Sequence, residues 1–281
     1  MELQMKSERN RIRSLAMYSG ICGLGLRAAL AIGLVFCVLG DVSAGDGQIR
    51  FKSVVDGVER RSFRWQPPSG GMAVQIHAFR VDPRIHQFRV AVTPSGTRDT
   101  AHSLARKNGL FLAVNASYFD ENDKPLGLLI DKGVEKQGLR KVDWGVFSVD
   151  QSGKASIVHT RDYQASTKIS AAVQTGPRLV VDGKALKLKP QIARRTAVCV
   201  DGSGLVVFLI AEGGVFLQDL AELLRSSEGA GGLGCRDALN LDGGPSSQGT
   251  FVMGKDSWDL YGGTSVPVVL GVQVGKGEGK P

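Results

Sequence analysis

The sequence predicts an α+β fold: a mixed, largely antiparallel β-sheet core with a few packed helices, in a single domain. Three observations carry this expectation. Short runs rich in Val, Ile and Phe recur along the chain, broken by Gly, Asp and Asn. Several runs are joined by hairpin-type turns, of which Asp131-Lys132-Gly133, Ser152-Gly153, Asp182-Gly183 and Asp201-Gly202-Ser203-Gly204 are the clearest, and such turns favour antiparallel neighbours. Two segments alone stand out as helical. Glycine is abundant, 37 of 281 residues, but shows no three-residue period and is accompanied by only 10 Pro, which excludes collagen and a Pro/Gly linker protein. A hydrophobic content of 42% excludes wholesale disorder.

The N-terminal segment does not read as part of the fold. Lys6, Arg9, Arg11, Arg13 and Arg27 precede an apolar run from Ala28 to Leu39, and Val42-Ser43-Ala44 supplies small residues where a signal peptidase reads. The run is shorter than the ~20 residues of a dedicated bilayer span, so membrane contact is expected only transiently, through this segment. Met17 is an alternative start, and Phe36 before Cys37 argues against a lipoprotein. We expect a signal peptide over 1–44, the domain over 45–275, a disordered tail over 276–281, and a periplasmic or secreted protein. Removing residues 1–44 takes away five Lys/Arg and three Asp/Glu, which lowers the net charge from +8 to +6. Cys199 and Cys235 remain. They could bridge in an oxidising compartment, but each lies in an apolar stretch and reads better as a buried free thiol.

Strands are predicted, in order, over 73–81, 88–93, 110–115, 127–131, 145–149, 156–159, 179–181, 196–200, 205–211, 237–241 and 266–274. A short helix is predicted over Thr100–Lys107, with Gly109 as its C-cap. A second, Val215–Arg225, places Leu217, Leu220, Ala221 and Leu224 on one stripe that must pack on a sheet face.

Several motif matches are rejected. Gly229, Gly231 and Gly234 match a dinucleotide-type glycine pattern, but it follows a helix and precedes a strand, the reverse of what a pyrophosphate site needs. Asp120, Asn122 and Lys124 alternate like a calcium loop, yet Pro125 stands where Gly is needed. The four His, at 77, 86, 102 and 159, have no zinc spacing and read as structural or exposed. No nucleophilic-Ser elbow is present. No cofactor or metal is expected. The positive charge is spread along the chain without aromatic interleaving, so no nucleic-acid partner is expected; the basic excess favours anionic substrates.

Five segments share one design, polar residues at the end of an apolar strand: VNASYFD from Val114, QTGPRLVVDGK from Gln174, RRTAV from Arg194, LIAEGG from Leu209 and ALNLDGGPSS from Ala238. Glycine there lets backbone and side chains meet a ligand closely. Asp242 reads equally as a turn residue capping its own backbone or as a site carboxylate. Glu212 is a second carboxylate or a solvated turn residue. Arg194 and Arg195 are surface charges, or one of them binds an anion. Asn115 ends a strand or meets a substrate hydroxyl. Trp144 is a core residue or a sugar platform. Two carboxylates and an Arg suit hydrolysis of an anionic glycoside: one acid protonates the leaving oxygen, the second activates water or attacks, and the Arg neutralises the phosphate. Retaining and inverting outcomes both stay open.

These motifs, in this order, resemble the phosphodiester glycosidase family. NASYFD from Asn115, PLGLLID from Pro125, QTGPRLV from Gln174, RTAV from Arg195 and LDGGPSS from Leu241 carry the likeness, with Ser117 and Pro245 as departures. The resemblance implies an exported glycoside hydrolase that cleaves a sugar-1-phosphodiester at its glycosidic bond, in cell-envelope or extracellular glycan metabolism. It maps the family's Asn, Arg and Asp motif positions onto Asn115, Arg195 and Asp242. With the reading of the residues themselves, Asp242, Glu212 and Arg195 are expected as catalytic residues, and Asn115, Gln174, Thr175, Gly176, Gly243, Gly244, Ser246 and Ser247 as substrate-binding. The alternative is an envelope protein that binds a glycan or polyanion without catalysis.

Overall fold

A computed structural model describes residues 50–275. The expected signal segment and the 276–281 tail lie outside the described residues. Within them, the apolar runs form strands because β-branched and aromatic side chains suit a half-buried pleated surface, and they gather into three sheets.

The largest sheet has eight strands in the order β1 (Lys52–Val55), β2 (Val58–Trp65), β3 (Val74–Val81), β14 (Val206–Phe216), β13 (Ile192–Asp201), β15 (Cys235–Asn240), β11 (Arg178–Val181) and β12 (Lys184–Ala185). A second has the order β7 (Val134–Gln137), β6 (Leu129–Asp131), β10 (Ile169–Thr175), β8 (Gly145–Asp150) and β9 (Ala155–His159). The third has the order β17 (Asp256–Leu260), β16 (Gly249–Met253), β5 (Leu112–Asn115), β18 (Val268–Gln273) and β4 (Gln87–Val92). Every paired strand among the described residues is antiparallel. The expected mixed α+β core is therefore corrected: two α-helices against eighteen strands make a β-rich single domain.

The three sheets share one core, in which Phe79, Phe147, Phe208 and Phe251 are fully buried. The outer face of the large sheet is covered by α2 (Leu217–Arg225), whose Leu217, Leu220, Ala221 and Leu224 stripe packs on Val180, Leu209, Ala211 and Ala238. Helix α1 (Ala101–Asn108) is capped as its ends require: Thr100 Oγ1 accepts from the Ser103 N–H, and Gly109 takes the left-handed conformation.

The free-thiol expectation is overturned. Cys199 and Cys235 form a disulfide, with Cα atoms 5.8 Å apart. The cause is topological: β15 returns beside β13, so a cysteine that is remote in sequence becomes a cross-strand neighbour.

Candidate active site

After Asn240 the chain leaves the large sheet for β16 of the third sheet, and the connecting loop is pinned across strand ends. The Leu241 N–H donates to Thr196 O and the Asp242 N–H to Ala116 O, both at 2.9 Å. Asn115 clamps the loop from below: Nδ2 donates to Asp242 O (2.6 Å), while Oδ1 accepts from Thr196 Oγ1 (2.7 Å) and the Gln248 N–H (3.1 Å). The Gln248 side chain accepts from the Ala101 N–H and donates to Thr264 O, each at 2.8 Å. Asp242 is thus held at the meeting of β5, β13 and β15.

Its carboxylate accepts the Gly243 N–H (2.9 Å) and makes no ion pair among the described residues. Burial pushes its pKa above the ordinary carboxylate value, against the opposing pull of the Ser246 hydroxyl and the Gly243 N–H. Arg195, on β13, is only 4% exposed and likewise lacks a carboxylate partner. Its Nε donates to Val215 O (3.1 Å) and its Nη2 to Gln191 O, while Nη1 has no partner among the described residues. Burial draws its pKa down. Gly243 brings the loop onto this guanidinium: a Cβ there would lie 2.9 Å from Arg194 O and 3.7 Å from Arg195 Nη1. A buried cation and a half-buried carboxyl group are therefore neighbours of one glycine without an ion pair between them.

Around them the side chains have unused hydrogen-bonding capacity. Ser117 Oγ, Thr175 Oγ1, Asn240 Oδ1 and Ser247 Oγ are buried and unpartnered. Tyr118 Oη donates to Gly176 O and accepts from Asn240 Nδ2 (3.2 Å). Burial raises the Tyr118 pKa, and the Asp242 charge adds to the rise. Trp144 lies against Tyr118, with ring centroids 5.1 Å apart, and a Cβ on Gly176 would sit 2.8 Å from its ring. Tyr118 and Asn240 stand inside the quoted motifs, but a Tyr and an Asn at strand ends carry no chemical signal of their own.

The other expected residues divide. Ser246 flanks Asp242, and Gly244 opens the 3₁₀ turn that carries it, with φ of 59°. Gln174 is fully buried and saturated: Oε1 accepts from the Leu128 and Arg140 N–H groups (both 2.9 Å), and Nε2 donates to Arg140 O (2.7 Å) and Thr160 Oγ1 (3.0 Å). Its amide has nothing left for a ligand and instead fixes the 138–144 loop. Asn115, with its three bonds to the protein, has little more to offer. Glu212 does not share a face with Arg195. Arg195 pairs with Ala211, so the next residue leaves the ribbon on the opposite face, where Glu212 Oε1 meets His77 Nε2 at 2.5 Å and His77 Nδ1 meets Ser62 Oγ at 3.0 Å. Burial lowers the His77 pKa against the pull of Glu212, and Trp258 covers its ring at 4.7 Å. A lone His in a strand gave no sign of this partnership.

The glycine-rich loop at 229–234 follows α2 and precedes β15, and the Gly231 and Gly232 carbonyls accept from Arg61 (2.9 and 2.6 Å). It is a packed connection. Among the described residues no three His, Cys, Asp or Glu side chains gather as metal ligands.

The family profile of phosphodiester glycosidase matches residues 108–273, a span that contains every one of these site residues except His77 and Ser62. The chain belongs to the phosphodiester glycosidase family. This phosphodiester glycosidase-family chain is similar to the uncharacterised protein YigE of Escherichia coli K12, 26% identical over 187 residues, which is 60% of this chain and 71% of that one. Its fold matches the catalytic domain of zebrafish N-acetylglucosamine-1-phosphodiester alpha-N-acetylglucosaminidase, a structure auto-inhibited by its pro-peptide. The TM-score there is 0.63 at 18% identity, over 79% of this chain and 85% of that one. A hypothetical protein from Synechocystis shares the fold with a TM-score of 0.58 at 14% identity, over 80% and 63% of the two chains.

Proposed function

We propose that this member of the phosphodiester glycosidase family hydrolyses the glycosidic bond of a sugar-1-phosphodiester, outside the cytoplasm. The observation that carries the reading is Arg195: a buried guanidinium with no carboxylate partner, near a half-buried carboxyl group. Burying an unpaired charge is costly, and a phosphodiester supplies the missing anion. Family membership and the shared fold support the reaction class. The Cys199–Cys235 bridge and the signal-like N-terminal sequence support export.

In this proposal the diester phosphate rests on Arg195 Nη1. Asp242, whose proton affinity is raised by burial, donates its proton to the bridging oxygen as the bond to the sugar C1 breaks, and Arg195 stabilises the departing phosphate monoester. Water adds to C1, its proton returns to the Asp242 carboxylate, and the hydrolysis is complete. Ser117, Thr175, Asn240 and Ser247 take the sugar hydroxyls. Asn115 and Gln174 act as positioning residues. Glu212, bonded to His77 on the opposite face of the ribbon from Arg195, is assigned no proton transfer in this scheme.

The test is release of free sugar from a panel of sugar-1-phosphodiesters. Wild-type protein is expected to release sugar from at least one member. Asp242→Asn is expected to lose kcat with KM kept, Arg195→Ala to lose both, and Glu212→Gln to keep kcat within a few-fold. Wild-type turnover in Asp242→Asn and Arg195→Ala would refute the site, and a loss in Glu212→Gln as deep as that in Asp242→Asn would restore Glu212 to the reaction. Binding without product on long incubation would support the non-catalytic glycan-binding alternative.

A further inference from the structure

Beside the site lies a cleft of about 790 Å³, a volume suited to a small ligand. Its walls carry Lys141, Arg161 and Arg178, with Leu139, His159 and Tyr163 between them. One carboxylate lines it, Asp143, and that group is bonded to His159 Nε2 at 2.8 Å. Lys141 and Arg178 make no ion pair among the described residues, while Arg161 Nε is 3.6 Å from Asp162. The cleft is therefore a concave, net-positive surface.

A second observation points the same way. Six buried side-chain oxygens lack a hydrogen-bond partner among the described residues. Four are the oxygens around Asp242 described above. Asp123 Oδ1 is ion-paired with Arg98 at 2.7 Å. The remaining one is the hydroxyl of Tyr163, in the wall of this cleft. The cleft also adjoins the site. Trp144 directly follows Asp143 and lies against Tyr118. Arg178 follows Gly176-Pro177 and pairs with Leu239, the neighbour of Asn240. Gln174 fixes the lining loop through both Arg140 N and Arg140 O.

We propose that this cleft is the subsite for the alcohol side of the diester and that it binds a further phosphate there. The substrate class would then be a phosphodiester-linked glycan or polyol oligomer rather than a small isolated diester. This rests on the function proposed above, because the subsite is placed relative to the scissile bond. The binding of the anionic oligomer itself does not depend on turnover.

The experiment therefore has two arms. In the first, a glycerol-phosphate trimer is titrated into wild-type protein, the Lys141→Gln/Arg178→Gln variant and Asp242→Asn, with thermal melts confirming that each is folded. Binding is expected in wild type and in Asp242→Asn, about tenfold weaker in the double variant, and weaker as salt rises. Exposed Lys141→Gln alone, which leaves packing untouched, is expected to give part of the loss. In the second arm, sugar-1-phosphoglycerol is compared with the same diester extended by one glycerol phosphate. The double variant is expected to raise KM about tenfold for the extended substrate and by much less for the short one, with kcat kept for both. Trimer binding that the double variant does not weaken, or none in wild type at millimolar concentration, overturns the subsite. Equal competition by single-stranded DNA of the same charge overturns the glycan or polyol assignment. Binding lost in the double variant while no diester is hydrolysed sustains the cleft and refutes the glycosidase reading.

Discussion

Asn115 and Gln174 stand one or two residues from Ser117 and Thr175, at the ends of the same two strands, and are equally buried, yet the two pairs have opposite hydrogen-bonding states. The two amides are spent on the protein: Gln174 makes all four of its hydrogen bonds and Asn115 three. The two hydroxyls, with that of Ser247 and the Asn240 carbonyl oxygen, make none, and Arg195 and Asp242 have no ionic partner. Native interiors pair their buried polar groups almost completely, and the unmet groups here are the ones that the proposed ligand would satisfy. The saturated groups form the frame that holds the unmet ones apart.

The comparison can be broken most sharply at Asp242. Asp242→Asn is expected to cut kcat about 10²–10⁴-fold, the usual contribution of a general acid, and at the same time to raise the melting temperature at neutral pH. The sign follows from linkage: a carboxyl group whose folded pKa is raised destabilises the fold once the pH exceeds its unfolded value, and the amide removes that charge. Loss of both activity and stability would place Asp242 in the frame instead. Gln174→Leu is expected to do the reverse. It strands the Leu128 N–H together with Arg140 N and O, at roughly 1–3 kcal/mol for each group left buried and unmet, so urea unfolding should reveal a loss of several kcal/mol while the Asp242 pH dependence persists in the folded fraction. Opening the Cys199–Cys235 bridge with Cys199→Ala/Cys235→Ala is expected to cost about 2–4 kcal/mol with little change in kcat/KM, since the bridge lies away from Asp242. Thr175→Val is the gentlest test: stability should change by less than about 1 kcal/mol, whereas KM should rise several-fold.

The pH profile sharpens the same contrast. With Asp242 acting as an acid, kcat should fall as pH rises through a pKa above the ordinary carboxylate value, and that limb should vanish in Asp242→Asn. His77, whose pKa is drawn down by burial, opposes folding when protonated, so stability should decline as pH falls through and below its unfolded value near 6.5.

The strand ends were legible in the sequence because glycine-flanked polar residues after apolar runs are a local signal, and that signal singled out Asp242 and Arg195, which the structure places on either side of Gly243. Local patterning hid other parts. β2 reads as polar, VERRSFRW, yet Arg61 is buried against Gly231, Gly232 and Phe63. β10, ISAAVQT, is built on alanines too small to read as a core run, although Ala171 and Ala172 are fully buried. The disulfide and the His77–Glu212 contact depend on which strands become neighbours, a property of the order β3-β14-β13-β15 that no short segment contains. The same limit explains why Glu212 and Arg195, close in sequence design, emerge on opposite faces.

One measurement bears most directly on the claim that the unmet groups await a sugar phosphate. Wild-type protein and Asp242→Asn are each mixed with a sugar-1-phosphodiester from the panel, and binding and free-sugar release are followed together. The account predicts that both bind, that wild type alone releases sugar, and that Arg195→Ala binds neither substrate nor the phosphate monoester product. Sugar release by Asp242→Asn at the wild-type rate, or binding unaffected by Arg195→Ala, would contradict it.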